Sequence, residues 1–313
     1  MQAKSRGKTV KINKRTFEST CKLYSLCAIP LLLIFVFSYL PMGGIIIAFK
    51  NYRYDKGIFG SDWVGFKNFE FFFESDAFAR ITYNTLFMNA VFIIIGLVSA
   101  LTLAILLFEV KKRLTTKIFQ TMLIVPNFIS WVVAAYMVFA LLSPRNGIVN
   151  VMLSNMGMEK VDWYSKPDAW PWILAVAYVW KHAGMDSIIY YAALMGIDSS
   201  LFEAADIDGA TKWKKIRYVI IPALVPLITM LTILKIGSIF RADFGLFYQL
   251  PRNVGLLYST TDVVDTYIFR TMRVTGNMGM SSAVGLLQSV VGFVLVMVTN
   301  YASKKIDPES GLF

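Results

Sequence analysis

Long apolar blocks separated by short polar connections dominate the pattern of this chain. A helix needs about 20 predominantly apolar residues to cross about 30 Å of hydrocarbon, because each residue rises 1.5 Å. Six blocks meet this requirement, at 23–49, 85–108, 118–143, 171–195, 219–242 and 278–301. The sequence therefore predicts an all-α integral membrane protein with six transmembrane helices.

The composition favours the same class. Hydrophobic residues make up 56% of the chain and charged residues only 16%, against roughly 25% charged residues in an average soluble domain. The sequence contains no stretch that resembles a soluble domain, a low-complexity linker or an internal repeat. We therefore predict a cytosolic basic tail over 1–22 and a single transmembrane domain over 23–313.

The formal net charge of +11 comes from basic residues that lie between the apolar blocks. They form no face with interleaved aromatic residues, so they indicate membrane topology rather than nucleic-acid binding. Lys and Arg collect in the amino-terminal tail, in 109–117, in 196–218 and after the last block. By the positive-inside rule we expect these segments, and both termini, on the cytosolic side of the membrane. The connections 50–84, 144–170 and 243–277 are expected outside.

Motifs of catalysis are absent from the sequence, which has no Walker A, HExxH or GxSxG stretch. We therefore expect a transport protein and not an enzyme, driven by an ion gradient or by another subunit. Cys21 and Cys27 lack the spacing of a zinc or redox site, and His182, the sole histidine, has no ligand companions. We expect no resident metal or cofactor.

Aromatic and charged residues alternate in 63–73, after the first block. An amphipathic helix lying in the membrane interface has this character. A packed external cap explains the pattern equally well.

The connection 196–218, called here the 196–218 loop, is the most informative stretch. Its first part favours a short helix, and Gly209 can take a positive φ at the turn that follows. A second short helix should end at Pro222, where the next span opens. We expect a helical hairpin along the membrane surface.

The exposed face of this hairpin would present Glu203, Asp206 and Asp208 beside Ala204 and Ala205. Small residues allow another surface to approach closely, and carboxylates accept charge-assisted hydrogen bonds from Arg or Lys. The face therefore has the character of a docking knob. An ordinary solvated loop that only obeys the positive-inside rule is the alternative.

The loop resembles the EAA motif of bacterial ABC importer permeases. That motif is Glu-Ala-Ala, three residues, Gly, nine residues and then Ile-x-Leu-Pro. Here Glu203-Ala204-Ala205 and Gly209 fit, and Val219-Ile220-Ile221-Pro222 differs only at two aliphatic positions. Asp208-Gly209-Ala210 matches the form found in sugar permeases. Further stretches resemble permeases of complex-sugar importers of the maltose type: 62–69, 83–86, 265–270 and the ending 311–313.

The resemblance implies a type I ABC importer permease with a defined set of partners. These are a second homologous permease, two cytosolic ATPase subunits that bind ATP and magnesium, and an external solute-binding protein that delivers an oligosaccharide. ATP-driven closure of the ATPases would move the loop and rock the bundle between inward-facing and outward-facing states. The residues implied in coupling are Glu203, Ala204, Ala205, Asp206, Asp208, Gly209, Ala210 and Pro222.

Polar groups at membrane depth are candidates for the substrate path, because they are costly there and usually face the bundle interior. Sugar sites combine aromatic faces with hydrogen-bonding groups, and the candidates offer both. They are Asn89, Asn127, Trp131, Trp180, Asp186, Lys235, Arg241 and Gln288, with Gln120, Lys181 and His182 beside them. Pairing between charges, snorkelling to an interface and amide bonds between helices are the structural alternatives.

A secondary active transporter driven by an ion gradient is the main alternative function. Such a transporter should show an internal repeat or broken helices with midplane carboxylates. Neither is evident in the sequence.

Overall fold

The computed structural model describes the backbone of residues 14–306 and the side chains of 24–305. Most of the predicted tail over 1–22, and the ending 311–313, lie outside the described residues. The α-helices are Lys14–Ile34, Gly57–Gly60, Lys67–Phe73, Ala77–Glu109, Arg113–Phe128, Trp131–Leu142, Ile148–Asn155, Trp170–Leu194, Ser199–Ile207, Lys212–Lys215, Ile221–Gly237, Phe244–Gln249, Tyr258–Thr261, Val264–Arg273 and Met278–Ile306. Turns of 3-10 or π helix occupy Phe35–Tyr39, Leu40–Phe49, Trp163–Ser165, Pro167–Ala169, Ile216–Ile220 and Gly255–Leu257.

Helices cover all six predicted spans, and the predicted fold class is confirmed. Four helices are long and apolar enough to cross a membrane, and a bent pair in the third span is a fifth candidate. The fourth span, Trp170–Leu194, has 25 residues, and Lys181, His182 and Asp186 interrupt its apolar character. It is long enough to span at about 1.5 Å per residue.

The third span, predicted over 118–143, is broken in the structure. Two helices, Arg113–Phe128 and Trp131–Leu142, meet there at 96°. Pro126 lies two residues before the end of the first helix, where its ring removes a backbone donor and disfavours continuation. Ser130 then caps the second helix by accepting the N–H of Val133.

The hairpin predicted for the 196–218 loop is only half correct. A short helix, Ser199–Ile207, is present, but residues 212–237 form one helical stretch that contains the fifth span. Pro222 lies in the first turn of Ile221–Gly237, as predicted, but the helical turns before it continue into this helix without a break. A π turn at Ile216–Ile220 comes directly before Pro222, which has no N–H to donate to the preceding turn. The second span also begins earlier than predicted, at Ala77.

The fourth-span helix lies at the centre of the packing. It contacts the second-span helix along most of its length and Arg113–Phe128 on another side. Two clusters of buried apolar residues lie at these contacts, one around Trp170 and Phe92 and another around Leu194. The first span is the least buried of the four long apolar helices, with only 6% of its apolar window buried, and its second half, Leu40–Phe49, packs against Met278–Ile306.

The connection 50–84 forms a small cap at one end of the bundle. Lys50–Asn51 and Asp62–Trp63 pair as two short antiparallel strands, and Lys67–Phe73 is helical. Phe72 is buried against Phe78 and Tyr267, whereas Phe71 is 63% exposed. One side of 63–73 thus packs against the bundle, as expected of a packed cap. Its other side exposes apolar rings, as expected of an interfacial helix.

Candidate coupling loop and translocation path

The turn at Gly209 is closed by local backbone hydrogen bonds. The N–H of Gly209 donates to Asp206 and that of Ala210 to Ala205, at 3.1 and 2.9 Å, which is the Schellman pattern of a helix end. Gly209 has φ +69°, and a Cβ built on it would meet no atom within 4 Å. The positive φ, and not a lack of space, makes glycine suitable here.

The helix before this turn presents its acidic face to the outside. Glu203, Asp206 and Asp208 are exposed, as is the small residue Ala204. The other face is packed, because the ring of Phe202 lies 5.5 Å from that of Phe108 at the end of the second span. The face that the sequence predicts for docking is therefore exposed to a partner.

Two features of the 196–218 loop were not predicted. Ile207 is 87% exposed at the tip of the acidic helix, although it is a large apolar residue. The loop is also tied by ion pairs from Lys215 to Asp206 and from Lys212 to Glu109, the latter at 2.5 Å. Exposed pairs of this kind contribute about 0–1 kcal/mol each, so they set orientation more than stability.

The acidic helix begins at a capped end. Asp198 accepts the backbone N–H of Ser200 at 2.9 Å. That backbone hydrogen bond, helped by the Ser200 side chain, holds the pKa of Asp198 below its ordinary value. Asp198 therefore stays ionised at neutral pH, and the helix starts with a negative charge at its positive dipole end.

Lys181 holds the break in the third span. Its ammonium group donates to the backbone oxygens of Asn127, at 3.0 Å, and Ile129, and it lies 5.0 Å from the centre of the Trp131 ring. The side chain is buried, at 7% exposure. The carbonyls that end Arg113–Phe128 are therefore satisfied by a charge from the fourth span.

A very close backbone approach sits one helical turn away. A Cβ at Gly184 would lie 1.9 Å from the carbonyl oxygen of Leu123. Only glycine lets the fourth-span helix come this near to Arg113–Phe128. This approach brings Lys181 within reach of the broken end.

Trp131 and Asp243 join the break to the chain after the fifth span. The indole N–H of Trp131 donates to Asp243 at 2.7 Å, and His182 Nε2 lies 3.8 Å from the same carboxylate oxygen. Asp243 also caps Phe244–Gln249 by accepting the N–H of Leu246. A Cβ at Gly245 would lie 2.2 Å from the indole ring, so the contact is tight.

Several other predicted path residues are bonded between helices. Asn89 donates to the carbonyl of Ile239 at 2.7 Å, and Lys235 pairs with Asp186 at 2.7 Å. Gln288 is buried and donates to the carbonyl of Phe240 at 2.8 Å. These bonds join the second, fourth and sixth spans to the fifth. The contacts that these side chains make are therefore those of polar groups that hold helices together.

The two remaining candidates, Trp180 and Arg241, border cavities. Trp180 borders an apolar groove of about 520 Å³ between Trp131–Leu142 and the fourth span. Arg241 is exposed and lines a smaller cavity with Gln288 and Phe293. The predicted path residues are thus spread over several sites, and their role in transport stays a prediction.

Comparison with known proteins identifies the family. Residues 93–308 match the model of the "binding-protein-dependent transport system inner membrane component" family, which covers more than half of the chain. The chain belongs to this family.

Relatives of the permease cover nearly its whole length. Protein LplB of Bacillus subtilis is 35% identical over 93% of this chain and 91% of its own. The polygalacturonan/rhamnogalacturonan transport system permease protein YteP of the same organism is 34% identical over 88% of this chain and 85% of its own. The permease is therefore a transport subunit and not an enzyme.

Solved structures of similar fold agree. A bacterial ABC transporter involved in the import of the acidic polysaccharide alginate matches with a TM-score of 0.84 and 33% identity, covering 94% of this chain and 98% of that one. A bacterial alginate ABC transporter in complex with an alginate pentasaccharide-bound periplasmic protein matches with a TM-score of 0.83 and 32% identity, covering 95% and 98%. The permease thus has the architecture of an ABC importer subunit.

Asp262 is a buried hub of the permease that sequence reasoning missed. Its side chain is fully buried, accepts two hydrogen bonds of 2.7 Å from Arg270 and lies 3.4 Å from Arg80. Thr266 donates to it at 2.9 Å, and Asn84 donates to its backbone carbonyl. Asp262 therefore joins the start of the second span to Val264–Arg273. Nothing in the sequence separates it from the other acidic residues of 243–277.

Asp265 and Tyr164 are further buried groups of the same end. Burial raises the pKa of Asp265, although the N–H of Ala242 and the amide of Gln288 both donate to it. Burial likewise raises the pKa of Tyr164 to about 12. No described residue bonds the Tyr164 hydroxyl.

Proposed function

We propose that the chain is the permease subunit of an ATP-driven importer of an oligosaccharide, that it lines half of the translocation path, and that its 196–218 loop docks on a cytosolic ATPase. Family membership supports import with a binding protein. The names of relatives support a carbohydrate, since they include polygalacturonan, rhamnogalacturonan, arabinooligosaccharides and lactose.

The observation that carries the coupling role is the geometry of the 196–218 loop. An exposed acidic and small-residue face is held at a fixed angle by the turn at Gly209, and Ile207 adds an apolar contact at its tip. The same loop continues directly into the fifth span. A force on the exposed face would therefore reach the membrane helices through continuous backbone and the Phe202–Phe108 contact. Glu203, Asp206 and Asp208 would meet basic groups of the ATPase.

The proposed assembly contains a second homologous permease, two ATPase subunits and an external solute-binding protein. One 196–218 loop engages one ATPase, and a pair of ATPases requires two such loops. Both termini and 109–117 would lie in the cytosol of a bacterial cell, with 144–170 and 243–277 outside. The largely exposed first span leaves a wide apolar surface for lipid or for the second permease.

Purification and reconstitution test this proposal. The chain should purify with a second permease and two ATPases, and uptake of labelled oligosaccharide should require ATP and the binding protein. A complex whose ATPase carries a replaced Walker A lysine is the control and should not transport. Uptake by this chain alone, driven by an ion gradient, would refute the proposal, and a transport-competent homodimer would refute the second permease.

Cysteine labelling tests the orientation. Cysteines at Lys160 and Lys215 should react from opposite sides of the membrane, because an odd number of spans separates them. Reaction of both from the same side would contradict the assigned topology.

A further inference from the structure

A polar cavity of about 250 Å³ lies beside the helix Trp131–Leu142, on the side away from the apolar groove. Its lining includes two tyrosines, two amides and an arginine: Tyr136, Tyr248, Gln249, Arg252 and Asn253. The cavity is at the end of the bundle that carries 144–170, since Arg252 stacks on Phe139. The 196–218 loop is at the other end of the fourth span, against Phe108.

The backbone that carries Arg252 is held in an unusual conformation. Arg252 and Asn253 have φ values of 55° and 50°, and they are the non-glycine residues with positive φ in the described chain. Such a conformation costs roughly 1–2 kcal/mol for a residue such as Arg252, whereas asparagine tolerates it. Backbone hydrogen bonds to Gln249 and Tyr248, and a 2.9 Å bond from the Tyr258 hydroxyl to Asn253, hold it in place. The turn therefore fixes the backbone from which the exposed Arg252 side chain extends over Phe139.

Among the side chains that the structure describes, Arg252 has no acidic partner, as Arg145 has none, whereas Arg80 and Arg270 each have one. Arg270 and Arg80 both contact Asp262. The Arg252 guanidinium lies 4.2 Å from the centre of the Phe139 ring, and no carboxylate among residues 24–305 is within ion-pair distance of it. Its hydrogen-bonding edge is left for a ligand.

The other polar groups of the cavity are also available. Within the described part of the chain, the hydroxyls of Tyr136 and Tyr248 and the side-chain amide of Gln249 make no hydrogen bond. Tyr136 is 67% exposed. Aromatic faces beside free amides and hydroxyls suit a sugar ring, and a guanidinium fork suits a carboxylate.

We propose that this cavity binds one uronic-acid unit of the transported saccharide, with Arg252 pairing its carboxylate and Tyr136 and Tyr248 facing its ring. The proposal rests on the proposed function, because it assigns the charge class of the same substrate. The site would lie near the outer entrance of the path. It would select acidic over neutral saccharides as they arrive.

Uptake by proteoliposomes of the complete complex with its binding protein tests this inference. The probes are trimers of galacturonate and of mannuronate, together with the same trimers whose carboxyl groups have been reduced to alcohols. Arg252→Gln should raise the KM for an acidic trimer about tenfold or more, since a charge-assisted hydrogen bond is lost. Arg252→Lys should fall between, because it keeps the charge and loses the fork.

Two controls separate this effect from damage to the fold. Arg145→Gln removes an exposed arginine from the same end of the bundle, outside the cavity, and should leave the KM unchanged. ATP hydrolysis stimulated by the binding protein should stay normal in Arg252→Gln. An unchanged KM in Arg252→Gln, or uptake of reduced trimers alone by the native complex, would overturn the inference and leave the importer assignment intact. A complex that hydrolyses ATP and takes up no saccharide would refute the proposed function itself.

Discussion

The turn at Gly209 and the break in the third span both interrupt helices, and they are held in opposite ways. At Gly209 the backbone closes on itself within a few residues, and the surrounding face is exposed. At the break the free carbonyls are satisfied by Lys181, which is 52 and 54 residues away along the chain. The first interruption is a local property of the sequence, whereas the second exists only in the packed bundle.

This difference predicts where substitutions act. A change at the break should damage the fold of the permease, because distant segments depend on one another there. A change at the Gly209 turn should leave the bundle folded and affect the surface that a partner meets. Four substitutions test the contrast, in descending order of their expected effect on folding.

Gly184→Ala should have the largest effect. Its Cβ would overlap the carbonyl of Leu123, so two helices must separate and Lys181 loses its position. Overpacking of this kind costs roughly 1–3 kcal/mol or more. The measurement is the yield and thermal unfolding of the complex in detergent. Gly285→Ala is the matched control, because that helical glycine has no atom within 4 Å of its Cβ position and should be neutral. Equal behaviour of the two variants would contradict the close approach.

Lys181→Met should come next. It keeps the length of the side chain but leaves two partly buried carbonyls without their charged donor, which costs about 1 kcal/mol or more. The transition should broaden and shift to lower temperature, and a cysteine at Ser130 should react faster with a thiol reagent. Lys117→Met, at an exposed position of the preceding helix, is the control. A native melting curve for Lys181→Met would show that the break does not need the lysine.

Gly209→Val should leave the bundle folded and reduce coupling. The position is open to solvent, but a β-branched residue at φ +69° costs on the order of 1–3 kcal/mol and should distort the turn. Yield should be near normal, while uptake and stimulated ATP hydrolysis fall together. Gly209→Asn is the control, since asparagine tolerates this conformation and should lose less activity. Wild-type uptake by Gly209→Val would indicate an ordinary connecting loop.

Glu203→Ala should have the smallest effect on the fold. Glu203 is exposed and helical, so its loss leaves the backbone intact and removes one contact to the proposed ATPase. We expect a moderate fall in uptake with no change in melting temperature. Asp198→Asn can be compared with it, because an asparagine still caps the helix and lies outside the docking face. A stability loss in Glu203→Ala would mean that the residue is structural.

The same contrast explains how much the sequence could predict. Apolar blocks locate the six spans, because hydropathy is a local property, and the Schellman turn follows from Gly209 after a helix-forming stretch. The 96° bend in the third span cannot be predicted from local sequence in the same way. Pro126 and Ser130 are local signals of a helix end, but the ammonium group that stabilises it comes from a distant span.

The candidate path shows the same limit. Composition could select Asn89, Gln288 and Lys235 as polar groups at membrane depth, but it could not supply their partners. Asp262 and Arg252 lie in a connection with many charges, where only the fold separates a paired charge from a free one. The residues with the most informative contacts were therefore the least visible in the sequence.

The helical stretch from Lys212 to Gly237 gives the molecule a lever. It has 26 residues and is about 39 Å long at 1.5 Å per residue. Its softest part, the π turn followed by Pro222 and Pro226, lies near the end that begins in the 196–218 loop. A pivot placed so close to one end amplifies motion at the other. A tilt of about 10° at the π turn would carry the far end, where Lys235 meets Asp186, through about 5 Å.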